Sequence, residues 1–246
     1  MVKHRHPFKT LYGIAESTLL IDLSAPRSIL SSAPRGGGLR CARYILNHQV
    51  PANPMGHSKS SSAKKWEDPS RYLGRVAARL RVKDPCVALM TAVPMKRLVV
   101  MREECAGIWV EGFFTVGITN AVRAGEPNVD LGMDASRTGT INIIVVTNAR
   151  LPASAMVGAV QVITESKTGV LLDHRVPSYT GRSHATGTGT DAVVMACGDG
   201  PLLRYSGTHT KFGELMGQLV QRGVMEGLLH SMDWMRSRTF DTDTSR

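Results

Sequence analysis

Thr140 to Thr147 reads TINIIVVT, an almost unbroken β-branched run. A strand of this kind has no polar face to offer water, so it must be covered on both sides. The cover can be read further along the chain. Pro152 opens a long helix with Met156, Ala159, Val160, Ile163 and Val170 on its inner face. Asp191 to Cys197 (DAVVMAC) and Leu202 to Tyr205 return to strand. Lys211 to Trp234 closes with a helix bearing Leu215, Leu219, Met225, Leu228, Leu229 and Met232. Upstream, Ser17–Leu23 and Arg27–Ser31 read as strands parted by Ala25-Pro26, and Cys41–Val50 as a further ordered segment. Asp68 is placed to cap a helix whose first residue is Pro69, and Val87–Thr119 holds two or three strands. The alternation of α and β, without a fixed-length repeat, predicts one α/β domain over residues 1–246. Its sheet is expected to be mixed, largely buried and flanked by helices. Residues 51–65 (PANPMGHSKSSSAKK) read as an exposed flexible loop and 235–246 as a disordered tail.

Composition narrows the function classes. The chain has 246 residues, 42% of them hydrophobic, which is ample for a buried core. No apolar run approaches the roughly 18 residues of a membrane span, and the basic N-terminus lacks a signal peptide's apolar stretch. Cys41, Cys86, Cys105 and Cys197 are widely scattered, with no C-x-x-C pair that would give a zinc site its close ligand pairs. They read as buried, reduced thiols of a soluble, cytoplasmic protein. Fifteen of the 30 Lys+Arg but only five of the 20 Asp+Glu fall in residues 1–90. Nucleic acid would suit that surplus, yet no run interleaves basic with aromatic residues for base stacking. Arg71, Arg75 and Arg79 stand at helical spacing and read as one solvated face.

Five stretches place small polar residues directly beside buried elements: Gly117–Ala121, Gly139–Ile143, Thr164–Thr168, Thr186–Asp191 and Ser206–Thr210. Loops at strand ends are where a rigid scaffold usually carries its chemistry. Turn chemistry alone also accounts for Thr and Gly before a strand. The TGTGTD stretch is not a phosphate-binding loop, since no Gly-Lys-Ser/Thr follows its glycines. Glu165 and Lys167 stand two apart and do not face each other on a helix. Asn142 is more telling, because a buried amide demands up to four hydrogen bonds.

Taken in order, with Ser31-Ser32-Ala33 and Gly36-Gly37 upstream and Tyr205-Ser206-Gly207-Thr208 downstream, these motifs resemble the adenosylcobinamide amidohydrolases. The resemblance spans roughly residues 15–230. It departs at Ser166, where the family often has Ala, and in the basic insert 56–65. It implies hydrolysis of the amide joining aminopropanol to the corrin ring, giving adenosylcobyric acid for coenzyme B12 salvage. A complete cobamide with its nucleotide loop is an alternative substrate, and a corrinoid-binding protein without catalysis an alternative class. The corrinoid would be the substrate, with no separate cofactor.

No G-x-S-x-G elbow and no H-E-x-x-H helix is present. Amide hydrolysis is left with three routes. Asp191 or Glu165 activates water, or a threonine such as Thr188 or Thr190 attacks with help from Lys167 or Asp191, or a metal activates water. No compact ligand set argues for the metal. The catalytic candidates are therefore Asp191, Glu165, Lys167 and Thr190. Ser32, Gly36, Gly37, Asn47, Asn120, Asn142, Thr186, Thr188 and Thr208 are the candidates for holding substrate.

Overall fold

The computed structural model describes residues 8–51, 68–82, 85–127 and 139–243. Its strands are β1 (Leu11–Ala15), β2 (Thr18–Ser31), β3 (Gly38–Gln49), β4 (Cys86–Thr91), β5 (Val99–Cys105), β6 (Ile108–Val116), β7 (Ala121–Val122), β8 (Ile141–Thr147), β9 (Gly187–Thr188) and β10 (Ala192–Ala196). Its helices are α1 (Pro69–Arg79), α2 (Ala153–Asp173) and α3 (Lys211–Asp243). Among the described residues, eight strands form one mixed sheet in the order β4-β3-β2-β10-β8-β6-β5, with β1 also paired to β2. The β8–β10 and β3–β4 pairs are parallel and the others antiparallel. β7 and β9 make a separate two-stranded ribbon.

The central strand is covered as its sequence requires. Ile141, Ile143 and Val145 face a cluster that includes Met156, Ala159 and Ile163 of α2 and Leu215, Leu219 and Val224 of α3. Ile144 and Val146 face the other way, onto Leu19, Ile21, Ile45, Val87 and Leu89. Those last five belong to β2, β3 and β4, so the sheet folds back over itself and buries its own second face. α1 then closes the outer side of β3 and β4 with Leu73 and Ala77.

The fold-back has a local cause. Asp22 of β2 pairs with Tyr44 and Arg27 with Ala42, so β2 takes five steps where β3 takes two. A bulge of this size bends a strand sharply. Asp22 Oδ1 accepts from Ser24 N, which stands at φ +67°. Pro26 sits inside the bulge, where no ladder N–H is required. The sequence reads Ala25-Pro26 as a break between two strands; here it is the bend of one.

Other elements differ from expectation for similar reasons. Leu202–Tyr205 is not a strand: Leu202 and Tyr205 are exposed, and the backbone there only bridges to Arg150. α3 runs on to Asp243, into the stretch read as a tail, and 235–243 contain no Pro or Gly to stop it. Residues 244–246 and most of the expected 51–65 loop lie outside the described residues. All four cysteines are free, and Cys86 and Cys197 are buried, with burial pushing the Cys197 thiol up to about 11. Cys41 is exposed, because β3 begins beyond the reach of its β4 partner, which pairs only Tyr44–Gln49. The capped start of α1 is as read: Asp68 Oδ2 accepts from Arg71 N at 3.0 Å, with Pro69 first in the helix.

Two stability predictions follow from this packing. A Cβ on Gly223 of α3 would lie 2.3 Å from the Phe114 ring, itself fully buried. Ala gains about 1 kcal/mol of helix propensity over Gly, whereas overpacking costs about 1–3 kcal/mol. Gly223→Ala should therefore lower the melting temperature, and a rise would show that α3 does not press on β6 as described. His48 is buried between Thr18 Oγ1 (2.7 Å) and the Tyr72 hydroxyl (3.0 Å). Burial, and secondarily Arg79, hold its pKa below the usual value against a smaller opposing pull from Glu16. The folded state thus prefers neutral His48, so this contribution is complete above about pH 6.5 and is lost as pH falls below it. His48→Gln should flatten the fall in stability between pH 6.5 and 5 in urea titrations; an unchanged slope would remove His48 from it.

Candidate active site

Three elements converge at the amino-terminal ends of β8 and β10: α2, the loop that carries β9, and the start of β8. Asp191 lies between the loop and β10, and its carboxylate gathers all three. Lys167 Nζ, from α2, donates to Oδ2 at 2.5 Å. Thr188 gives its hydroxyl to Oδ1 at 2.5 Å and its backbone N–H to Oδ2 at 3.1 Å. Ile141 N, the first residue of β8, donates to Oδ1 at 2.9 Å. The Lys167 and Asp191 side chains are only 9% and 14% exposed, and Thr188 8%. A carboxylate has about four acceptor positions, so these four donors fill it.

Gly187 is required by closeness. A Cβ there would lie 2.6 Å from Asp191 Oδ2 and 2.8 Å from Lys167 Nζ. The rest of the loop is tied from its flanks. Thr168 Oγ1 donates to Thr186 O, and Thr186 Oγ1 accepts from Ala124 N. Thr190 Oγ1 donates to Gly139 O at 3.2 Å, while Thr140 Oγ1 donates to Thr190 O at 2.9 Å.

Beneath the loop lies a polar cluster inside the folded-over sheet. Asn142 Nδ2 donates to Asn47 Oδ1 (3.0 Å) and to Met90 O (2.8 Å). Asn47 Nδ2 passes on to Thr115 Oγ1 at 3.0 Å, and Thr140 Oγ1 reaches Asn142 Oδ1 at 3.3 Å. Both amides are 1% exposed. They join β3 and β4 to β8 and β6, so they hold the two halves of the sheet together and are not open to a ligand.

The residues singled out from sequence therefore separate. Asp191, Lys167, Thr188, Thr190 and Thr186 meet in one place, with Asn142 and Asn47 directly below. Asn120 is beside them, its Oδ1 buried without a hydrogen-bond partner and close against Gly139. Glu165 is exposed on α2, turned away from Lys167, as their two-residue spacing requires. Ser32 pairs through its backbone and hydroxyl with Val193. Gly36 and Gly37 pack against the carbonyls of Cys86 and Ala33. Thr208 is exposed near the start of α2, where its neighbour Ser206 binds Ala155 O. Ala155 and Lys167 are twelve residues apart along α2, about 18 Å at the helical rise.

Other polar groups escaped the sequence reading. Glu126 collects the hydroxyls of Ser183, Ser178 and Thr180, and these, Ser183 foremost, hold its carboxyl below the usual range. Glu111 is fully buried on β6, accepting from Lys9 N, Thr10 N and Arg102. An acid inside V-E-G-F-F was the available signal for it. A pocket of about 190 Å³ lies at the opposite, carboxyl ends of β8 and β10, lined by Arg27, Trp109, Asn148 and Asp199 among others. That is below the roughly 300–1,000 Å³ that encloses a drug-sized ligand, and a corrinoid is larger still. Among the described residues no group of three His, Cys, Asp or Glu is arranged to hold a metal ion, and no helix is long and apolar enough to cross a membrane.

The single α/β domain thus holds, at one sheet end, an acid bound by both an amine and a hydroxyl, the kinds of group that hydrolytic chemistry uses. Comparison with known proteins makes the class specific. The family model described as adenosylcobinamide amidohydrolase matches residues 3–236. An uncharacterized protein of Methanocaldococcus jannaschii is 33% identical over 236 residues, covering 88% of each chain. A protein named adenosylcobinamide amidohydrolase in Methanosarcina mazei is 31% identical over 231 residues, covering 88% of this chain and 96% of that one. Another of that name in Halobacterium salinarum is 30% identical over 156 residues, 62% of each. This chain belongs to the adenosylcobinamide amidohydrolase family.

Asp191→Asn puts an amide NH₂ among four donors and leaves Lys167 without its counter-charge. Breaking a buried pair in this way costs about 3 kcal/mol. Urea unfolding of Asp191→Asn should show a loss of that size, whereas Glu165→Gln should stay within about 0.5 kcal/mol of the parent. Equal stability of Asp191→Asn and the parent would contradict the four-donor arrangement.

Proposed function

We propose that this protein hydrolyses the amide between aminopropanol and the corrin-ring side chain of adenosylcobinamide, releasing adenosylcobyric acid for salvage into coenzyme B12. The observation that carries this reading is the family match across residues 3–236. The site around Thr188 and Asp191 lies at one end of the sheet, where the amide-bearing arm of a corrinoid would reach Thr188.

The geometry favours threonine attack over direct activation of water by Asp191. Every acceptor position of that carboxylate is occupied, so a water would have to displace one donor. Thr188 Oγ1 is already one of the four, at the distance of a nucleophile from its base. In the proposed sequence Thr188 Oγ attacks the amide carbon while its proton passes to Asp191. The tetrahedral intermediate collapses with cleavage of the C–N bond, and that proton leaves on the amine of aminopropanol. Water then attacks the Thr188 ester, giving the corrinoid carboxylic acid and restoring the hydroxyl. Lys167 donates to Oδ2 and so fixes the Asp191 carboxyl group while Oδ1 takes up and releases the proton, and Asn120 stands beside the loop as a carboxamide partner for the substrate.

The test is incubation with adenosylcobinamide and, in parallel, with a complete cobamide, followed by mass spectrometry of the corrinoid. Loss of the aminopropanol unit from adenosylcobinamide is the expected result. An intact side chain in the presence of bound corrinoid would leave only a binding protein. Thr188→Val should reduce turnover by about 10²-fold or more, and Thr188→Ser should retain a substantial part of it. Full activity of Thr188→Val would return the attacking role to water.

A further inference from the structure

Thr140 holds a position that the proposed reaction does not use directly. It is the residue before β8, 4% exposed, and its single hydroxyl proton faces two acceptors. One is the Thr190 carbonyl at 2.9 Å and the other Asn142 Oδ1 at 3.3 Å. The nearer acceptor belongs to the loop that carries Thr188 and Asp191, and the farther to the amide cluster inside the sheet.

The amide cluster is fixed in orientation by its own bonding. Both N–H bonds of Asn142 are taken, by Asn47 Oδ1 and Met90 O, so its Oδ1 can only turn toward Thr140. Asn47 is likewise fixed, giving its amide to Thr115 and its oxygen to Asn142. Four strands therefore determine where the Asn142 oxygen lies. Thr140 transmits that position to Thr190, the residue beside Asp191. A hydroxyl buried between a fixed acceptor and a loop carbonyl sets a distance, and it does so without touching substrate.

We propose that Thr140 is a positioning residue for the amide-hydrolysis site: it ties the Thr188–Asp191 loop to the buried Asn47–Asn142 cluster and thereby sets the Thr188-to-Asp191 geometry. The inference rests on the reading of that loop as the reactive one. The loop has other anchors, from Thr168 to Thr186 and from Ile141 to Asp191, so loss of this one should loosen it without unfolding the domain.

Thr140→Val keeps the shape of the side chain and removes the hydroxyl, Thr140→Ser keeps the hydroxyl and removes a methyl group, and Thr140→Ala serves if Val does not fold. Hydrogen–deuterium exchange of the peptide covering residues 186–192 should speed up at least tenfold in Thr140→Val and return toward the parent rate in Thr140→Ser. Peptides from α3 should be unchanged. With adenosylcobinamide as substrate, kcat should fall about tenfold in Thr140→Val with KM within twofold, because the substrate arm is still bound but the hydroxyl is misplaced. Unchanged exchange at 186–192 in Thr140→Val overturns the inference whether or not the parent protein releases aminopropanol. A parent that is inactive on adenosylcobinamide, with faster loop exchange in Thr140→Val and recovery in Thr140→Ser, sustains the tie and overturns the reaction instead.

Discussion

The Lys167–Asp191 ion pair is the contact on which the arrangement of this end of the molecule depends. It joins the middle of α2 to the start of β10, with both side chains mostly withdrawn from water. Two charges so placed lose hydration, and attraction alone seldom compensates for that loss. Here the remaining lone pairs of the carboxylate are met by Thr188 and Ile141. The result is a carboxylate that cannot move without breaking contacts to a helix, a loop and a strand at once. Gly187 is the local consequence, since any side chain there would enter the pair.

The second constraint is the fold-back of the sheet. Bending β2 at Asp22–Arg27 brings Leu19, Ile21 and Ile45 onto Ile144 and Val146, which gives β8 its second cover. At one end of the layer so formed the Asn47–Asn142–Thr115 cluster lies beneath the loop, and at the other Glu111 gathers Arg102 and the backbone of Lys9 and Thr10. Polar groups at both ends of an apolar layer fix how its halves align, because a shift would leave buried donors unpaired.

Much of this was legible in the chain itself. The β-branched run at 140–147 does form a strand covered on both faces, and the α2 stripe packs against it as its spacing implies. The family that the six motifs resemble is the one whose model matches residues 3–236. What the sequence could not convey was sorting by distance. Thr208 belongs to the far end of α2, and Glu165 to its solvent side, because linear order does not say which end of a sheet a loop returns to. The Ala25-Pro26 break could not be told from a bulge, since proline is at home in either. The sequence shows Asn142 as a buried amide needing partners, but its partner Asn47 is 95 residues away and only the fold-back unites them. The sequence marks Asp191 as a base for water or for a threonine, but its four donors come from three separate elements that no spacing rule connects.

The central claim is that an oxygen of the chain, Thr188 Oγ, attacks the amide before water does. Partitioning with hydroxylamine tests it most directly. With adenosylcobinamide in excess and hydroxylamine raised stepwise, aminopropanol release should hold a constant rate while the corrinoid product divides between carboxylic acid and hydroxamate in a ratio set by hydroxylamine concentration. That pattern requires an acyl intermediate formed after the amine has left. Carboxylic acid as the only corrinoid product at every hydroxylamine concentration would contradict the account and give the attack to water.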